Sequence, residues 1–159
     1  MKYFIADTHF NNENIIRYCN RPFENSNEMN EYIINKWNSV VTENDVVYHL
    51  GDVGFGSTEE LKQLVGKLNG TKILIRGNHD YKRGLNSWKE VGFNEVYKKK
   101  LVLSNLILTH EPIEVGENYI NVFGHIHDKP LDEKFNKSNH ICVSCDVIKY
   151  TPISIEKIV

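Results

Sequence analysis

Short apolar runs that stop abruptly at polar residues recur along this chain of 159 residues. Five of them end at a motif rich in Asp, Asn, His or Gly: Asp7-Thr8-His9, Gly51-Asp52, Gly77-Asn78-His79-Asp80, Thr109-His110 and Gly124-His125-Ile126-His127. A short apolar run bounded by polar residues is typical of a buried strand. Because the carboxyl ends of parallel strands border one crevice, we expect the five motifs to lie along a single rim.

The first half of the chain alternates strands and helices. Strands are predicted over residues 2–6, 45–50 and 72–76, and helices over residues 12–19, 27–41 and 59–68. In the longest helix, Met29, Ile33 and Trp37 fall at helical spacing on one face. Such alternation indicates a largely parallel sheet with helices packed against it.

The second half of the chain is predicted to consist mainly of strands, at residues 94–103, 106–110, 119–124, 140–144 and 153–155, with one short helical segment at 87–91. The breaks between these runs hold Gly, Pro or Asn, as is typical of strand connections. A second sheet, mainly antiparallel or mixed, is therefore expected, with the polar stretch 128–139 as a mobile loop. No repeat or domain boundary is visible, so residues 1–159 are predicted to form a single domain.

The composition of the chain argues against some classes of function. Hydrophobic residues make up 40% of the chain, charged residues 25%, and the net charge is -2. This composition supplies a core but no overall field suited to generic nucleic-acid or membrane binding. Three cysteines, Cys19, Cys142 and Cys145, do not make a disulfide framework or a zinc ribbon and indicate a reducing compartment. With neither a signal-peptide pattern nor a membrane-length apolar stretch, the sequence predicts a soluble, cytoplasmic protein.

The five motifs carry ligands suited to divalent metals. Asp7 and His9 are two residues apart, so on an extended backbone their side chains point to the same side. His125 and His127 repeat this spacing, and the two oxygens of Asp52 can bridge a pair of ions. The candidate metal ligands are Asp7, His9, Asp52, Asn78, His110, His125 and His127. Oxygen and nitrogen ligands without thiolates favour Mn²⁺, Fe or Zn²⁺ over Cu(I), and the set is larger than one tetrahedral Zn²⁺ takes.

Several nearby residues have a simpler interpretation. His49 and His140 are interpreted as surface histidines or core histidines with satisfied hydrogen bonds. Gly51, Gly77 and Gly124 precede candidate ligands and are expected to permit sharp turns, which ordinary turn glycines also do.

The ordered set of motifs resembles the calcineurin-like metallophosphoesterase superfamily. The matching pattern is Asp-x-His, Gly-Asp, Gly-Asn-His-Asp, His and Gly-His-x-His, and it runs from Asp7 to His127. Small bacterial and phage members are similar in further stretches, at residues 7–10, 14–17, 20–23, 47–52 and 144–155. The resemblance covers nearly the whole chain. It implies a four-layer α/β/β/α sandwich in which two mixed β-sheets are flanked by helices.

The resemblance also implies a dinuclear metal centre. Asp7, His9 and His127 would bind one ion and Asn78, His110 and His125 the other, with Asp52 between the two. Mn²⁺ is the expected ion, with Fe, Zn²⁺ or Ni²⁺ as alternatives. The centre would hydrolyse a phosphodiester or phosphomonoester with a metal-activated hydroxide. His79 would act on the phosphate or its leaving group as a cation or acid, and Asp80 would orient and charge-stabilise His79.

Two departures from the family bear on substrate. The Ser/Thr protein phosphatases of this superfamily extend Gly-Asp into a longer Asp- and Arg-containing motif, whereas this chain continues with Val53-Gly54-Phe55-Gly56. Protein phosphatase activity is therefore not favoured. Asn11 and Asn12 stand where close relatives often have Gly-His, which weakens any substrate or proton-relay role there.

Alternatives remain open at this point. The chain can be a catalytically idle metal-binding module for protein interaction on the same fold, although the presence of His79 and every ligand argues for an enzyme. Lys98-Lys99-Lys100 can contact a nucleic acid, but such a run is more typical of a solvated edge, so nucleic acid is a conceivable substrate that is not indicated. Arg17, Arg21 and Arg76 can clamp a phosphate or serve in structural pairs. The sequence gives no oligomeric state.

Overall fold

Two β-sheets form the centre of the structure, a computed structural model that describes residues 1–158. The strands in chain order are β1 (Lys2–Ile5), β2 (Val46–His49), β3 (Thr71–Ile75), β4 (Glu95–Tyr97), β5 (Lys100–Leu103), β6 (Leu106–Thr109), β7 (Ile120–Phe123), β8 (His140–Cys142) and β9 (Ile153–Ser154). The first sheet has the strand order β4-β3-β2-β1-β9, and the second has the order β5-β6-β7-β8.

Both sheets are mixed. In the first sheet β1 to β4 are parallel and β9 runs antiparallel to β1. In the second sheet β5 is antiparallel to β6, whereas β6, β7 and β8 are parallel. In the register of the first sheet, Ile5 pairs with His49 and His49 pairs with Leu74. The carboxyl ends of the three central strands therefore lie side by side, and the first three motifs follow them.

One bridge joins the rims of the two sheets. Ala6 forms a parallel bridge with Ser144, in which its N–H donates to the carbonyl of Val143 (2.9 Å) and its carbonyl accepts from Cys145 (2.9 Å). The carboxyl end of β1 thereby lies next to the carboxyl end of β8. This contact brings the motif that follows β7 to the same rim as Asp7.

The helices are α1 (Glu13–Tyr18), α2 (Ser26–Val40), α3 (Thr58–Val65), α4 (Leu85–Val91) and α5 (Cys145–Ile148). Side-chain caps begin the first three: Asn12 accepts from the N–H of Ile15, Asn25 from Glu28, and Ser57 from Glu60. Such caps satisfy N–H groups that have no partner inside the helix. In α2 the predicted apolar face is confirmed, because Met29, Ile33 and Trp37 are fully buried.

Two hydrophobic cores follow from the alternation of side chains along the central strands. Ile5, Val47 and Leu74 point to one face of the first sheet and pack with helix residues such as Trp37 and Trp88. The neighbouring strand residues, among them Phe4, Tyr48 and Ile73, point to the other face and meet Leu108 and Val122 of the second sheet. Because both faces are buried, these strands read as continuous apolar runs in the sequence.

The outer face of the second sheet is covered by the segments 111–119 and 128–139, which include a 3-10 turn at Lys137–Asn139. Phe135 is buried there, and the ring nitrogens of His140 lie 2.7 Å from the carbonyl oxygens of Asn136 and Ile113. His140 is thus a buried histidine with satisfied hydrogen bonds, as interpreted from the sequence. The expected fold class, two mixed sheets flanked by helical elements, is confirmed.

One predicted element was wrong in detail, and one helical turn was not predicted. The single strand expected over 94–103 is two strands, β4 and β5, which belong to different sheets and are separated by Lys98 and Lys99. Residues 145–148 form a helical turn that the sequence did not predict. A local apolar pattern does not specify which sheet a strand joins, because the partner strand is distant in sequence.

Candidate metal centre

Side chains from four of the five motifs meet at the shared rim of the sheets. Their potential ligand atoms form two groups, Asp7 with His9 and His127, and Asp7 with Asp52 and His110. Within each group the ligand atoms all lie within 4.8 Å of one another. The Oδ2 atom of Asp52 lies 3.6 Å from Nε2 of His9 and 3.3 Å from Nε2 of His110. The two groups are thus neighbours that have the carboxylate of Asp7 in common, and Asp52 lies close to a histidine of each group.

The two remaining candidate ligands lie beside the second group. Nδ1 of His125 is 3.2 Å from Nε2 of His110, and its Nε2 is 3.9 Å from Glu111. Asn78 is exposed, lines a cleft together with His110, and has its amide nitrogen 3.4 Å from Nδ1 of His79.

The backbone of the site is left-handed at five candidate ligands. The φ angles are 59° at Asp7, 50° at His9, 59° at Asp52, 71° at His125 and 54° at His127. Positive φ is uncommon in residues other than glycine, and it tends to cluster at functional sites where the surrounding structure enforces it. The expectation that Asp7 and His9 converge on an extended backbone was therefore wrong, because their side chains converge from left-handed turns.

The three glycines before the ligands serve two different purposes. Gly51 has a φ of +104°, a conformation that side chains disfavour. Gly77 and Gly124 are needed for space instead. A Cβ atom on Gly124 would lie 2.7 Å from Oδ2 of Asp7, and one on Gly77 would lie 2.7 Å from the backbone nitrogen of Asp52.

The buried carboxylate of Asp80 holds two of the loops together. It accepts hydrogen bonds from the backbone N–H groups of Asp52 (2.7 Å), Val53 (3.0 Å) and Gly77 (2.7 Å). Burial raises the pKa of Asp80 to about 6, and the three N–H donors oppose that rise. Asp80 therefore fixes the loop after β2 against the loop after β3.

His79 is held by Asp52 and not, as expected from the sequence, by Asp80. Its backbone N–H donates to Oδ1 of Asp52 (3.0 Å), and its ring Nδ1 lies 2.9 Å from Oδ2. The predicted role of Asp80 in orienting His79 was wrong, because the Asp80 oxygens are occupied by backbone donors. The His79 side chain is 53% exposed, so its ring reaches the surface above the cluster.

Hydrogen bonds on the far side of two rings set which nitrogen faces the cluster. Nδ1 of His110 lies 2.7 Å from the carbonyl oxygen of Leu50, and Nδ1 of His127 lies 2.7 Å from Oδ1 of Asp146. Because these oxygens only accept, each Nδ1 carries the proton and each Nε2 is directed to the cluster. Such outer partners orient histidine ligands in metal sites.

The electrostatics of the cluster favour positive charge. Burial lowers the pKa of His110, but its contacts with Asp52 and Asp7 outweigh burial and raise the pKa to about 9. Burial raises the pKa of Asp52, but hydrogen bonds and charge from His110 and His79 hold it far below its usual value. Two ionised carboxylates in one buried place therefore stabilise a neighbouring cation.

Two buried atoms of the cluster lack a hydrogen-bond partner anywhere in the described residues 1–158. They are Oδ1 of Asp7 and Nε2 of His9. A buried polar atom without a partner costs free energy and calls for an explanation such as an ion. Carboxylate oxygens and imidazole nitrogens are ligands that divalent metals take, so the donor set fits the implied metals. The residues that could hold them are Asp7, His9, Asp52, His110, His125 and His127, with the exposed Asn78 in the cleft beside His110.

Sequence reasoning missed an ion pair that supports this cluster. Arg21 is buried, and its Nε and Nη2 atoms contact the carboxylate of Asp146 at 3.1 and 2.8 Å. The same guanidinium donates to the carbonyls of Asp7 (2.7 Å) and Thr8 (3.2 Å). Arg21 is therefore a structural residue that links the first motif to the carboxylate holding His127. An isolated Asp such as Asp146 carries no sequence signal for this role.

A second missed network fixes the first two motif loops to each other. Nδ1 of the buried His49 accepts from the N–H of Gly51 (3.1 Å), and its Nε2 lies 2.9 Å from the hydroxyl of Thr8. Thr8 in turn donates to the carbonyl of Val53 (2.7 Å). Burial lowers the pKa of His49 to about 3, so the ring is neutral. His49 is a core histidine with both ring nitrogens partnered, as interpreted from the sequence.

Asn11 and Asn12, the positions that depart from close relatives, have structural contacts. Asn12 caps α1, and its amide nitrogen lies 3.4 Å from Nδ1 of His9. Asn11 exchanges hydrogen bonds of 2.8 and 3.1 Å with Asn30 in α2.

Adding a methyl group at Gly124 would clash with Cβ of Ala6 and with Oδ2 of Asp7, and should therefore displace the Asp7 carboxylate. We expect Gly124→Ala to lower bound divalent metal well below the about two ions per chain of a dinuclear site, measured by plasma mass spectrometry after reconstitution. Gly116→Ala is the matched control, because its Cβ would meet only Tyr119 at an ordinary 3.7 Å. Full metal content in Gly124→Ala would contradict the assigned position of Asp7.

The charge of Asp146 should stabilise the fold in a pH-dependent way. Burial raises its pKa, but His127 and Arg21 outweigh burial and lower it to about 2, whereas an unfolded Asp titrates at about 4. Its stabilising contribution is therefore present above about pH 4 and is lost as the pH falls from about 4 to 2.

We expect Asp146→Asn to lower the free energy of unfolding of chelator-treated protein by about 2 to 3 kcal/mol at neutral pH. The difference from wild type should shrink toward pH 2 in urea titrations. Asp132→Asn, at an exposed carboxylate, should show no such trend. A deficit for Asp146→Asn that is constant with pH would refute the ion-pair interpretation.

Comparison with known proteins places the chain in a family. A family model described as calcineurin-like phosphoesterase matches residues 3–149. An uncharacterized protein of Methanocaldococcus jannaschii is 41% identical over 165 residues, which covers 99% of this chain and 88% of that protein. The Gene 66 protein of Mycobacterium phage L5 is 32% identical over 81 residues, which covers 49% of this chain and 39% of the phage protein.

A solved structure is similar over its whole length. The crystal structure of a protein of unknown function from Aquifex aeolicus matches with a TM-score of 0.77 and 28% identity, covering 99% of this chain and 97% of that one. Within residues 1–158, no helix has both the length and the apolar character needed to cross a membrane.

The family model spans nearly the whole chain, and the Asp and His residues of the resemblance meet at one rim of two mixed sheets. The chain therefore belongs to the calcineurin-like phosphoesterase family.

Proposed function

We propose that this protein is a dinuclear-metal-dependent phosphoesterase that hydrolyses a phosphodiester or a phosphomonoester. The observation that carries the proposal is the pair of buried, unpartnered atoms, Oδ1 of Asp7 and Nε2 of His9, inside a cluster of carboxylates and imidazoles. Family membership supports phosphoester hydrolysis as the reaction, and the cluster supports its dependence on metal.

The first proposed ligand set coincides with the first group of side chains, and the second set takes His110 from the second group and adds two neighbours of His110. Asp7, His9 and His127 would hold one ion, and Asn78, His110 and His125 the other, with Asp52 between them. Ring contacts support this division: His9 stacks on His127 with centroids 5.3 Å apart, and His110 meets His125 at 5.0 Å. The mixture of oxygen and nitrogen ligands supports Mn²⁺ as the first candidate, followed by Fe, Zn²⁺ and Ni²⁺.

Two divalent ions would supply a Lewis acid for the phosphate oxygens and a water of lowered pKa as the nucleophile. The remaining chemistry belongs to the protein. Asp52 accepts the hydrogen bond from Nδ1 of His79 (2.9 Å), so Nε2 is the nitrogen that is left to the surface, and it carries a transferable proton in the imidazolium form of the ring. We propose that His79 delivers that proton to the leaving oxygen, or stabilises phosphate charge as a cation.

The surface above the cluster is shaped to receive a substituted phosphate. A cleft of about 550 Å³ is lined by His9, His79 and His127 at its base and by Tyr18 and Phe55 at its sides. Tyr18 is 85% exposed and Phe55 41% exposed, so both rings are free to contact an organic group on the phosphate. An ester with an apolar or aromatic group suits this cleft.

The alternative, a catalytically idle interaction module, is less well supported. Such a module has no need for an uncoordinated histidine, yet the half-exposed His79 faces the cleft beside the cluster. We also propose a cytoplasmic location, because Cys19, Cys142 and Cys145 are all free thiols.

The proposal is tested by activity with defined metals. Protein reconstituted with Mn²⁺, Fe²⁺, Zn²⁺ or Ni²⁺ should hydrolyse bis-p-nitrophenyl phosphate, p-nitrophenyl phosphate or both, and should lose this activity on chelation. Inactivity toward both esters with all four metals, in protein that has bound metal, would favour the interaction module.

Substitution of His79 separates catalysis from metal binding. We expect His79→Asn to reduce kcat by about 100-fold or more, because the proton donor is lost, while metal content and melting temperature stay at wild-type values. Metal content is measured by plasma mass spectrometry and turnover by nitrophenolate release. Loss of metal in parallel with turnover would instead make His79 a ligand.

A further inference from the structure

A second cleft, of about 500 Å³, also borders the candidate metal centre. Its wall toward the centre includes Asn78 and His110, and its outer part is formed by Arg76, Tyr81, Lys99 and Lys100. We refer to this cleft as the basic cleft. Because it shares Asn78 and His110 with the proposed metal site, a substrate bound there can extend into it.

The basic cleft concentrates positive charge in a chain whose net charge is -2. Among its lining residues, Arg76, Lys99 and Lys100 are cationic and Glu111 is the carboxylate. Glu111 faces the metal centre, with Oε1 3.9 Å from Nε2 of His125. Across residues 1–158, no carboxylate lies within 4.0 Å of the three cations. Their charge is therefore available to a ligand.

Arg76 is held in place, and only one nitrogen of its guanidinium makes a hydrogen bond within residues 1–158. Its guanidinium lies over the ring of Tyr81 at 5.0 Å, and its Nη1 donates to the carbonyl of Arg83 (2.9 Å). Its Nε is buried and has no partner within the described chain. A planar guanidinium fixed by stacking suits recognition of phosphate. Arg21 differs, because it is fully engaged by Asp146.

Strand pairing fixes the position of the lysines. Lys100 begins β5 and pairs with Thr109 of β6, the residue directly before His110. Lys99 lies in the two-residue crossing between the sheets. The register of the second sheet thus places both lysines near the candidate ligand His110, so the run is more than a solvated edge.

We propose that the basic cleft binds a second phosphate group of the substrate. This inference rests on the proposed function: one phosphate ester reacts at the metal centre while another phosphate of the same molecule is held by Arg76, Lys99 and Lys100. The substrate class is accordingly a phosphate ester with at least one further phosphate, as in a bisphosphorylated nucleotide or a nucleic-acid strand. The shared chemistry is the second phosphate.

Two substrates that differ only in the second phosphate test the contribution of that phosphate to binding. The p-nitrophenyl ester of thymidine 5′-phosphate is compared with the same ester carrying an additional 3′-phosphate. We expect the added phosphate to lower KM by about tenfold, as a charge-assisted contact would, and the advantage to shrink with added salt. A ten-residue oligothymidylate, assayed as a competitor of both esters, shows whether a strand uses the same cleft.

The lysine run supplies its own control. In a Lys99→Ala, Lys100→Ala double variant, the ratio of the two KM values should fall several-fold toward one, because the second phosphate loses two of its three cationic partners. Lys98→Ala should keep the ratio, since Lys98 does not line the basic cleft. Equal KM values for both esters in the wild type, or an equal loss in Lys98→Ala, would overturn the proposal.

Binding without turnover keeps this test separate from the proposed function. Inorganic phosphate, titrated into chelator-treated protein, should shift the backbone amide NMR signals of residues 99 and 100 in the wild type and should shift them much less in the double variant. Such shifts in a protein that hydrolyses no ester would support the basic cleft while refuting the hydrolase. Hydrolysis without these shifts and without a KM advantage would leave the hydrolase standing and refute the second-phosphate site.

Discussion

The buried carboxylate of Asp7 is the contact that unites the two sheets into one site. It stands just beyond β1 of the first sheet, yet its Oδ2 accepts from the backbone N–H of His125 (2.8 Å) and from the hydroxyl of Ser144, both on the second-sheet side. Its other oxygen faces His9 and His110 without a hydrogen-bond partner in residues 1–158. The candidate ligands come together only at this junction, since each sheet alone carries part of the set.

The site combines backbone strain with rigid support. Left-handed conformations at residues such as Asp7 and Asp52 each cost on the order of 1 kcal/mol or more. The hydrogen bonds to Asp80, the Arg21–Asp146 pair and the His49–Thr8 contact oppose the relaxation of those turns. These supports act on the backbone that carries the candidate ligands and fix its geometry. Preorganisation of this kind is what a metal site on loops needs.

The sequence predicted those features of the structure that depend on residues close together in the chain. The pattern of apolar residues and the polar or glycine residues that interrupt it predicted the strand ends at Asp7, Asp52 and Gly77. The same pattern predicted the buried face of α2 around Trp37. Neither prediction requires knowledge of residues that are distant in the chain. The division of residues 94–103 between two sheets did not follow, because it depends on which strand each half meets. The partner of Asp80, the left-handed turns and the pair of Arg21 with Asp146 were missed for the same reason. Residues 21 and 146 are far apart in the chain, and their pairing exists only once the sheets are docked.

The central claim is that two cations share the rim where the sheets meet. Anomalous scattering from a crystal of the Mn²⁺-reconstituted protein tests it most directly. The account predicts two manganese peaks about 4 Å apart, one within bonding distance of Asp7, His9 and His127 and the other beside His110 and His125. The absence of peaks at this rim, or manganese bound only at surface carboxylates elsewhere, would contradict it.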